Sequence, residues 1–429
     1  MKQRRDTAIL PDVMQVTDST VCLRAVLLFA DLFLIVTALY LLKPSSRSLI
    51  LDVISAAQLP YVWLLSAGIL FAAVAAYQWL LERFQRLPVV LAVTLAFVVV
   101  LPLMRQWLQQ PGSTAPLVFY IVVDLLGVML VEQFWSLANS LFSAADGKRW
   151  YGLIGAGGLL GGGAGSTLAA TLVRHTTLET ADLLWVAAAI LGLVCLLTLV
   201  MGWLHLYDDT HQPSAGAGRT WQQRGGPRGR YLVLIAAALL MAQWISPWVE
   251  FQFMRVIEAS YSEREARTAI LGDFFTLMSL VSLIINLVMT PLILQRLGVL
   301  AGLLVQPLVL VVAAWGYGLS PGIHTAVLMK ISDRGLTHSL TRASRELLYI
   351  PVDAELMYRA KGWIDMFGYR VFKMLGALSI LFLTQWTSLE RWLPLNHIIV
   401  LACLIWAGLL VVLHRDYRRV VFDISNAVS

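Results

Sequence analysis

Long apolar segments alternate with short polar ones along most of the chain. An α-helix needs about 20 apolar residues to cross the hydrocarbon core of a bilayer, and most of these segments reach that length. The pattern therefore predicts an all-α polytopic membrane protein that is embedded in a lipid bilayer. Twelve segments qualify as spans, with the boundaries 21–43, 59–82, 88–107, 115–142, 150–174, 181–206, 230–254, 267–294, 298–319, 323–350, 359–386 and 393–414.

The longest polar break in the chain separates the sixth span from the seventh. It is rich in Gly, Pro, Gln and Arg, which is typical of a flexible linker. Two groups of six spans are the layout of major-facilitator transporters, whose substrate site lies near the midplane where the two halves meet, and we expect that fold. The predicted parts are a cytoplasmic N-terminal tail (1–20), an N-terminal six-helix bundle (21–206), a cytoplasmic linker (207–229), a C-terminal six-helix bundle (230–414) and a cytoplasmic C-terminal tail (415–429).

Basic residues are concentrated in alternate loops, beginning with the N-terminal tail. Because cytoplasmic loops carry an excess of Lys and Arg, this asymmetry predicts that both termini are cytoplasmic. The even number of spans agrees with that orientation.

Composition excludes several other classes of protein. The chain is 59% hydrophobic and 14% charged, whereas soluble domains carry about 25% charged residues. The net charge of +6 is attributed to cytoplasmic loops, so no nucleic-acid partner is expected. The three cysteines stand in or beside apolar spans without a CxxC or Cys/His pairing, so neither a disulfide framework nor a metal or other cofactor is expected.

Positive charge is concentrated on one face of the tenth span, which we call the basic face. A cation at bilayer depth costs about 2.5–3.5 kcal/mol, so four cations facing lipid would cost on the order of 10 kcal/mol. These side chains must instead face water, protein or an anionic ligand. The helical period places the following residues on the basic face: Lys330, Arg334, His338, Arg342, Arg345 and Tyr349.

Two interpretations of the basic face stay open. The first is an ion-pair network between helices, involving Asp333, Glu346, Asp353 and Asp365. The second is a path for an anionic substrate, which we favour because cations outnumber acids on the exposed arc. The next helix, after the break at Ile350–Pro351, continues the pattern with residues spaced four apart: Lys361, Asp365, Tyr369 and Lys373.

The first half carries its own polar groups within apolar spans. Lys43 and Arg47 lie four residues apart at the end of the first span, where Pro44 is expected to end or kink the helix. They are either a pair that reaches the interface or part of a binding site. The fourth span places Asp124, Glu132 and Asn139 on one face; two carboxylates there indicate a cavity or an ion-pair role.

Small residues recur at intervals of four in the fifth span. Gly157, Gly161 and Gly165 are spaced for close contact with another helix. A phosphate loop is rejected because no Gly-Lys-Ser/Thr follows and no strand precedes the glycines. The seventh span carries Glu250 and Pro247, and freed backbone groups near such a proline can face a cavity.

Several local motifs, in the same order along the chain, resemble those of the nucleotide (ATP/ADP) translocase family. Residues 134–139 read FWSLAN and residues 148–157 read KRWYGLIGAG, similar to the fourth-to-fifth span of that family. Residues 250–253 read EFQF, similar to its Asp-Tyr-Gln-Phe motif. Residues 344–351 read SRELLYIP and residues 360–365 read AKGWID, similar to its tenth-to-eleventh span signature. Lys43-Pro44 with Leu49 is similar to its first-span motif.

The resemblance implies a major-facilitator fold and the exchange of phosphorylated nucleotides across a membrane. By that resemblance, Lys43 and Lys361 contact phosphate and Glu132 is a coupling or gating carboxylate. The first-span motif departs from the family at Ser46 and Arg47, and the eleventh-span motif ends in Lys373 rather than an acid. Both departures favour an anionic ligand. The pattern is closer to divergent bacterial members, which implies a bacterial-type inner (plasma) membrane.

The sequence thus predicts a secondary-active carrier for an anionic, phosphorylated solute such as ATP or ADP, working by alternating access as an exchanger and as a monomer. No metal, cofactor or catalytic residue is expected. The predicted substrate-binding residues are Lys43, Arg47, Glu132, Asn139, Glu250, Gln252, Arg334, Arg342, Arg345, Glu346, Tyr349, Lys361, Asp365, Arg370 and Lys373.

Two other functions are carried as alternatives. The first is a proton-coupled exporter of a different metabolite or amphiphile on the same fold, with Glu132, Asp124 or Glu250 carrying the proton. The second is a polytopic membrane enzyme or assembly factor. The absence of an HExxH motif and of a Cys/His cluster from the sequence disfavours the enzyme.

Overall fold

The computed structural model describes residues 10–112, 114–142, 144–206, 227–348, 364, 368–387 and 394–428. All regular elements within these ranges are helical. The helices are α1 (Leu10–Ile50), α2 (Leu59–Arg83), α3 (Arg86–Leu108), α4 (Ala115–Leu141), α5 (Ala144–His175), α6 (Leu183–Trp203), α7 (Pro227–Ser260), α8 (Arg264–Ile284), α9 (Thr290–Arg296), α10 (Gly298–Leu319), α11 (Ile323–Leu336), α12 (Arg342–Leu348), α13 (Tyr369–Leu381) and α14 (Leu395–Val428).

Short irregular helical turns interrupt or precede several of these helices. Two 3₁₀ turns precede α2 and α6, at Ala56–Gln58 and Thr180–Asp182. Three π-helical turns cover Ile285–Met289, Thr337–Thr341 and Phe382–Trp386. Such turns in an α-helix are frequent at functional sites.

Ten of the twelve predicted spans coincide with described helical segments that are long and apolar enough to cross a membrane. Their length and composition make this an integral membrane protein. The other two predicted spans, 323–350 and 359–386, include residues outside the described ranges.

The described residues divide into two compact units. The first draws on Met1–Ile50, Ala72–Gly216 and Thr268–Thr276, and the second on Leu51–Phe71, Ala217–Arg267 and Leu277–Ser429. In the first unit, α1 packs against α4, α5 and α6, and α3 packs against α6. In the second unit, α7 packs against α11, α13 and α14, and α10 packs against α11 and α14.

Helix α1 is the central helix of the first unit because it is apolar on most of its circumference. Leu28, Ile35 and Leu42 are all buried, and they belong to one large apolar core. The helix also runs further than predicted, because Pro44 lies inside it and the helix continues to Ile50. Next to the proline, Ser46 donates a hydrogen bond to the carbonyl of Lys43 (3.0 Å) and Ser45 donates one to the carbonyl of Leu41 (3.3 Å).

The glycines of α5 pack directly on α1, as their spacing predicts. A Cβ atom on Gly157 would lie 2.7 Å from the carbonyl oxygen of Phe29. Gly161 and Gly165 face the carbonyl oxygens of Phe33 and Thr37 in the same way, one and two turns further along. The two backbones are therefore in contact at three successive turns.

Candidate functional site

A cavity of about 290 Å³ lies within the second unit and contains two arginines of the predicted basic face. We call it the arginine cavity. Helices α7, α10, α11, α12, α13 and α14 contribute to it, with the π-helical turn between α11 and α12. Its lining residues are Ala238, Leu239, Ala242, Gln243, Leu303, Gln306, Arg334, Thr337, Thr341, Arg345, Leu348, Tyr369, Trp406 and Leu410.

Arg334 and Arg345 both line this cavity, and they lie on opposite sides of the π-helical turn that separates α11 from α12. The sequence predicts that both lie on one face, and the shared cavity agrees with that prediction. Arg345 donates a hydrogen bond from Nη1 to the hydroxyl of Tyr369, and its guanidinium carbon lies 5.8 Å from that ring centroid. Tyr369, at the start of α13, therefore orients one of the two cations.

The chemistry of the arginine cavity favours anions. No Asp or Glu stands among the lining residues that the structure describes, while two guanidinium groups and several amide or hydroxyl donors do. The rest of the wall is apolar, and a charge interaction is stronger where little water is present. A guanidinium group presents paired N–H donors that match carboxylate and phosphate geometry.

Gln306 holds the π-helical turn between the two arginines. Its Nε2 atom donates to the backbone carbonyl of Asp333 (3.0 Å) and to Oγ1 of Thr337 (2.7 Å). Its Oε1 atom accepts a hydrogen bond from Oγ1 of Thr341 (2.7 Å). One buried amide thus bridges both ends of the turn at Thr337–Thr341, which sets the position of Arg345 relative to Arg334.

Lys330 does not share this environment, although it belongs to the predicted basic face. It is buried, and its Nζ atom lies 2.6 Å from Oε2 of Glu250 and 3.4 Å from Oδ2 of Asp333. Ser246 donates a further hydrogen bond to Oδ2 of Asp333 (2.9 Å). Arg334 also approaches this carboxylate, with Nε at 3.6 Å from the same oxygen.

For Lys330, the structure agrees with the ion-pair interpretation, with Glu250 as a further partner beside Asp333. The physical reason is that α7 packs against α11 and brings Glu250 next to Lys330. The basic face is consequently divided. Lys330 is neutralised, Arg345 lines the arginine cavity, and Arg334 lines the cavity while also approaching Asp333.

Lys43 and Arg47 of α1 lie among aromatic rings of the first unit. The Nζ atom of Lys43 is 4.0 Å from the ring centroid of Tyr40. The guanidinium carbon of Arg47 lies 5.6 Å from the ring of Tyr120 and 5.7 Å from that of Phe275. Cation–π contacts of this kind stabilise a cation that has left bulk water.

The predicted polar face of α4 contains exposed and half-buried side chains. Glu132 and Asn139 are both exposed, and Asn139 accepts a hydrogen bond on Oδ1 from the hydroxyl of Tyr151 (2.9 Å). Gln133, one position further along from Glu132, is buried and donates to Thr94 (3.1 Å).

The remaining predicted substrate-binding residues lie outside the arginine cavity or outside the described part of the chain. Glu250 belongs to the Lys330 cluster, and Gln252 is buried two positions further along α7. The guanidinium carbon of Arg370 lies 5.5 Å from the ring of Phe71, and Lys373 is exposed on α13. Tyr349, Lys361 and Asp365 lie outside the described residues, as do the side chains of His338, Arg342 and Glu346.

Sequence reasoning missed Gln306, which organises the site more than any single predicted residue. Its signal was present, because a glutamine followed by Pro307 interrupts an otherwise apolar span. A buried polar side chain in a span is a functional candidate by default. The structure also describes no group of three or more His, Cys, Asp or Glu side chains placed to hold a metal ion.

The comparisons with known proteins agree with the predicted resemblance at the level of the family. The sequence model of the TLC ATP/ADP transporter family matches residues 97–208. The predicted resemblance to the ATP/ADP translocase family is confirmed. ADP,ATP carrier protein 1 of Chlamydia trachomatis serovar D is 24% identical over 301 residues, which are 61% of this chain and 57% of that protein. ADP,ATP carrier protein 5 of Rickettsia bellii is 22% identical over 382 residues, covering 74% of this chain and 73% of that protein. The chain therefore spans just over half the length of the chlamydial relative and resembles the family at low identity.

Solved structures support the predicted fold independently of sequence. The crystal structure of a POT family transporter in complex with 5-aminolevulinic acid resembles this chain with a TM-score of 0.61 at 9% identity. The similarity covers 91% of this chain and 96% of the transporter. The predicted all-α major-facilitator-type fold is confirmed by this likeness.

Proposed function

We propose that the protein is a secondary-active transporter that exchanges an anionic, phosphorylated solute across a membrane by alternating access. The preferred solute is a nucleotide such as ATP or ADP. The observation that carries the proposal is that Arg334 and Arg345 line one cavity that no described carboxylate shares. The resemblance to ADP,ATP carriers supports the same class of solute.

The charge balance of the second unit supports binding at these two arginines. Lys330 is neutralised by Glu250 and Asp333, so a ligand gains little from it. Arg345 is oriented by Tyr369. Nε of Arg334 lies 3.6 Å from the Asp333 carboxylate, which Lys330 and Ser246 also contact, so this carboxylate is shared and neutralises Arg334 only in part. A polyanionic phosphate group that enters the cavity would meet two guanidinium groups that are already positioned, which lowers the entropic cost of binding.

Counterflow into proteoliposomes tests the proposal. Vesicles that contain the protein are loaded with ADP, and uptake of labelled external ATP is followed with and without the internal nucleotide. We expect uptake that requires internal ADP and that falls in the double variant Arg334→Gln/Arg345→Gln. Uptake that is no greater than in protein-free vesicles, whether or not the vesicles are loaded, would remove the nucleotide from the proposal.

A second candidate, proton-coupled export on the same fold, is favoured by one observation. Asp31 is buried at 4% exposure in α1, and its Oδ1 atom has no hydrogen-bond partner within the described part of the chain. A buried carboxyl within a span is a candidate proton carrier. If transport requires a pH gradient and is lost in Asp31→Asn, coupling is to protons; an obligate exchanger runs on the counter-substrate alone.

A further inference from the structure

A second cavity lies within the second unit, around the C-terminal end of α7. Its volume is about 480 Å³, and we call it the Gln252 cavity. The ends of α7 and α10 and the segment before α14 contribute to it. Its lining residues are Gln252, Arg255, Val256, Ala259, Ser260, Tyr317, Pro321, Gly322, Pro394, Leu395 and Asn396.

The two cavities are separated along α7. Gln243 lines the arginine cavity and Gln252 lines the second one, and nine helical residues correspond to a rise of about 14 Å. Between them α7 carries Ser246 and Glu250, which belong to the buried charge cluster of Lys330. None of the described lining residues is common to both cavities. A ligand in the Gln252 cavity therefore does not occupy the site of the proposed function.

Gln252 is the residue of the second cavity that most strongly indicates ligand binding. Its exposure is 3%, and neither Nε2 nor Oε1 has a hydrogen-bond partner among the residues that the structure describes. Burying a polar group without a partner is unfavourable, because the group has lost its hydrogen bonds to water. Both amide atoms have almost no accessible surface, so a polar group bound in the cavity would satisfy them once the side chain turns toward it.

The other polar groups of the cavity favour the same chemistry. Arg255 supplies a guanidinium group, Asn396 an amide, and Tyr317 and Ser260 supply hydroxyls. No Asp or Glu stands among the lining residues that the structure describes. Asn396 is buried and packs so closely on Gly318 that a Cβ atom there would overlap its Nδ2 atom. The position of this amide is therefore fixed by the absence of a side chain at residue 318.

We propose that the Gln252 cavity is a second oxyanion-binding site. It takes a free inorganic phosphate or the phosphate end of a nucleotide. The Arg255 guanidinium provides the charge, and the amides of Gln252 and Asn396 donate hydrogen bonds to the oxygens. The site is separate from the arginine cavity, and its existence does not depend on transport.

Ligand protection of an introduced cysteine tests the proposal. Ser260→Cys is placed in a background in which Cys22, Cys195 and Cys403 are replaced by alanine. The rate at which a methanethiosulfonate reagent modifies this thiol is measured in detergent-solubilised full-length protein. The probes are inorganic phosphate and ADP, with gluconate as the control anion. At about ten times its Kd a bound ligand should slow modification about elevenfold, since one site in eleven is then empty.

Variants decide where the protecting ligand sits. Gln252→Leu and Arg255→Gln should remove protection, whereas Arg345→Gln in the arginine cavity should leave it intact. Gln252→Glu keeps the shape of the side chain and adds a negative charge, so it should also remove protection if the protein folds. The apparent Tm without ligand shows whether each variant is folded.

Each outcome supports or overturns the second site. Protection by both probes supports an oxyanion site open to free phosphate, and protection by ADP alone or phosphate alone identifies the source of the oxyanion. Protection by neither probe overturns the proposal, and so does protection that survives both Gln252→Leu and Arg255→Gln. Because protection is measured without transport, a failed counterflow experiment would leave this result unaffected.

Discussion

The Nζ atom of Lys330 lies 2.6 Å from Oε2 of Glu250, and the lysine side chain is buried. Asp333 is the second carboxylate of this cluster and is itself buried, with Ser246 donating to it. The pair joins α7 to α11 and lies between two cavities that both carry arginine. A buried ion pair is weak evidence for stability by itself, but the loss of one partner leaves an uncompensated charge.

Removing Lys330 alone should destabilise the protein strongly. Lys330→Met leaves Glu250 and Asp333 without their shared cation, and we expect the free energy of unfolding to fall by about 3–5 kcal/mol. Lys330→Met combined with Glu250→Leu should cost less than the sum of the two single changes. Unfolding in detergent, analysed as a double-mutant cycle, measures this coupling. Additive effects would show that the two side chains do not interact.

The two arginines of the arginine cavity should control substrate affinity. Arg334→Gln or Arg345→Gln removes charge-assisted hydrogen bonds worth about 1.5–3 kcal/mol, which should raise the KM for ADP about 10–100-fold. Lysine at either position keeps the charge but loses the paired donors, so the effect should be intermediate. Arg296→Gln, which changes an exposed arginine at the end of α9, is the matched control. Equal KM values for all three glutamine variants would contradict binding at this cavity.

Gln306 should affect both stability and affinity because it supports the turn between these arginines. Gln306→Leu leaves the Asp333 carbonyl and two threonine hydroxyls without their amide partner, and we expect a loss of about 1–3 kcal/mol. The KM should also rise, since Arg345 is no longer held in position. Gln295 is an exposed glutamine on α9, and Gln295→Leu is the control for replacing an amide by an apolar side chain. A stability loss without any change in KM would limit Gln306 to a structural role.

Two glycines of α5 should respond oppositely to the same substitution. A Cβ atom at Gly165 would collide with the carbonyl oxygen of Thr37, so Gly165→Ala should cost about 1–3 kcal/mol. No atom of the described residues lies within 4 Å of a Cβ atom at Gly155, so Gly155→Ala should be neutral or stabilising by up to about 1 kcal/mol through helix propensity. Apparent Tm values in detergent distinguish the two. Equal changes in apparent Tm for the two variants would mean that α5 does not contact α1 at residue 165.

Two ion pairs of the first unit should differ in strength although their lengths are similar. Arg105 lies 2.7 Å from Asp182 with side-chain exposures of 12% and 20%, whereas Arg174 lies 2.6 Å from Asp273 with exposures of 45% and 46%. Arg105→Ala should cost about 1.5–3 kcal/mol, because charged hydrogen bonds of this size are lost from a largely buried site. Arg174→Ala should cost about 0–1 kcal/mol. If both variants lost the same free energy of unfolding, burial would not determine how much each ion pair contributes to stability.

The fold was predictable from the chain because its signals are local. The spans follow from the length and hydropathy of each segment, and the packing of α5 on α1 follows from the spacing of Gly157, Gly161 and Gly165. The end of α1 was less predictable. Pro44 was expected to end or kink the helix, but Ser45 and Ser46 donate to nearby backbone carbonyls and the helix runs on to Ile50.

The candidate site was predictable only in part. The helical period placed Arg334 and Arg345 on one face, and the structure brings them to one cavity. The same period placed Lys330 with them, although Glu250 neutralises it. The π-helical turn had no local signal. Gln306 was recognisable as a polar residue within an apolar span, but its partners come from another helix and could not be predicted.

By itself the sequence determined which segments are helices and which residues share a helical face. These properties depend on neighbours within a turn or two along the chain. Only the tertiary structure decided which cations of the basic face are neutralised, which ones line a cavity, and that Gln252 is buried at the wall of another. A helical period fixes the direction of a side chain, whereas the charge and the space that it meets depend on helices distant in sequence.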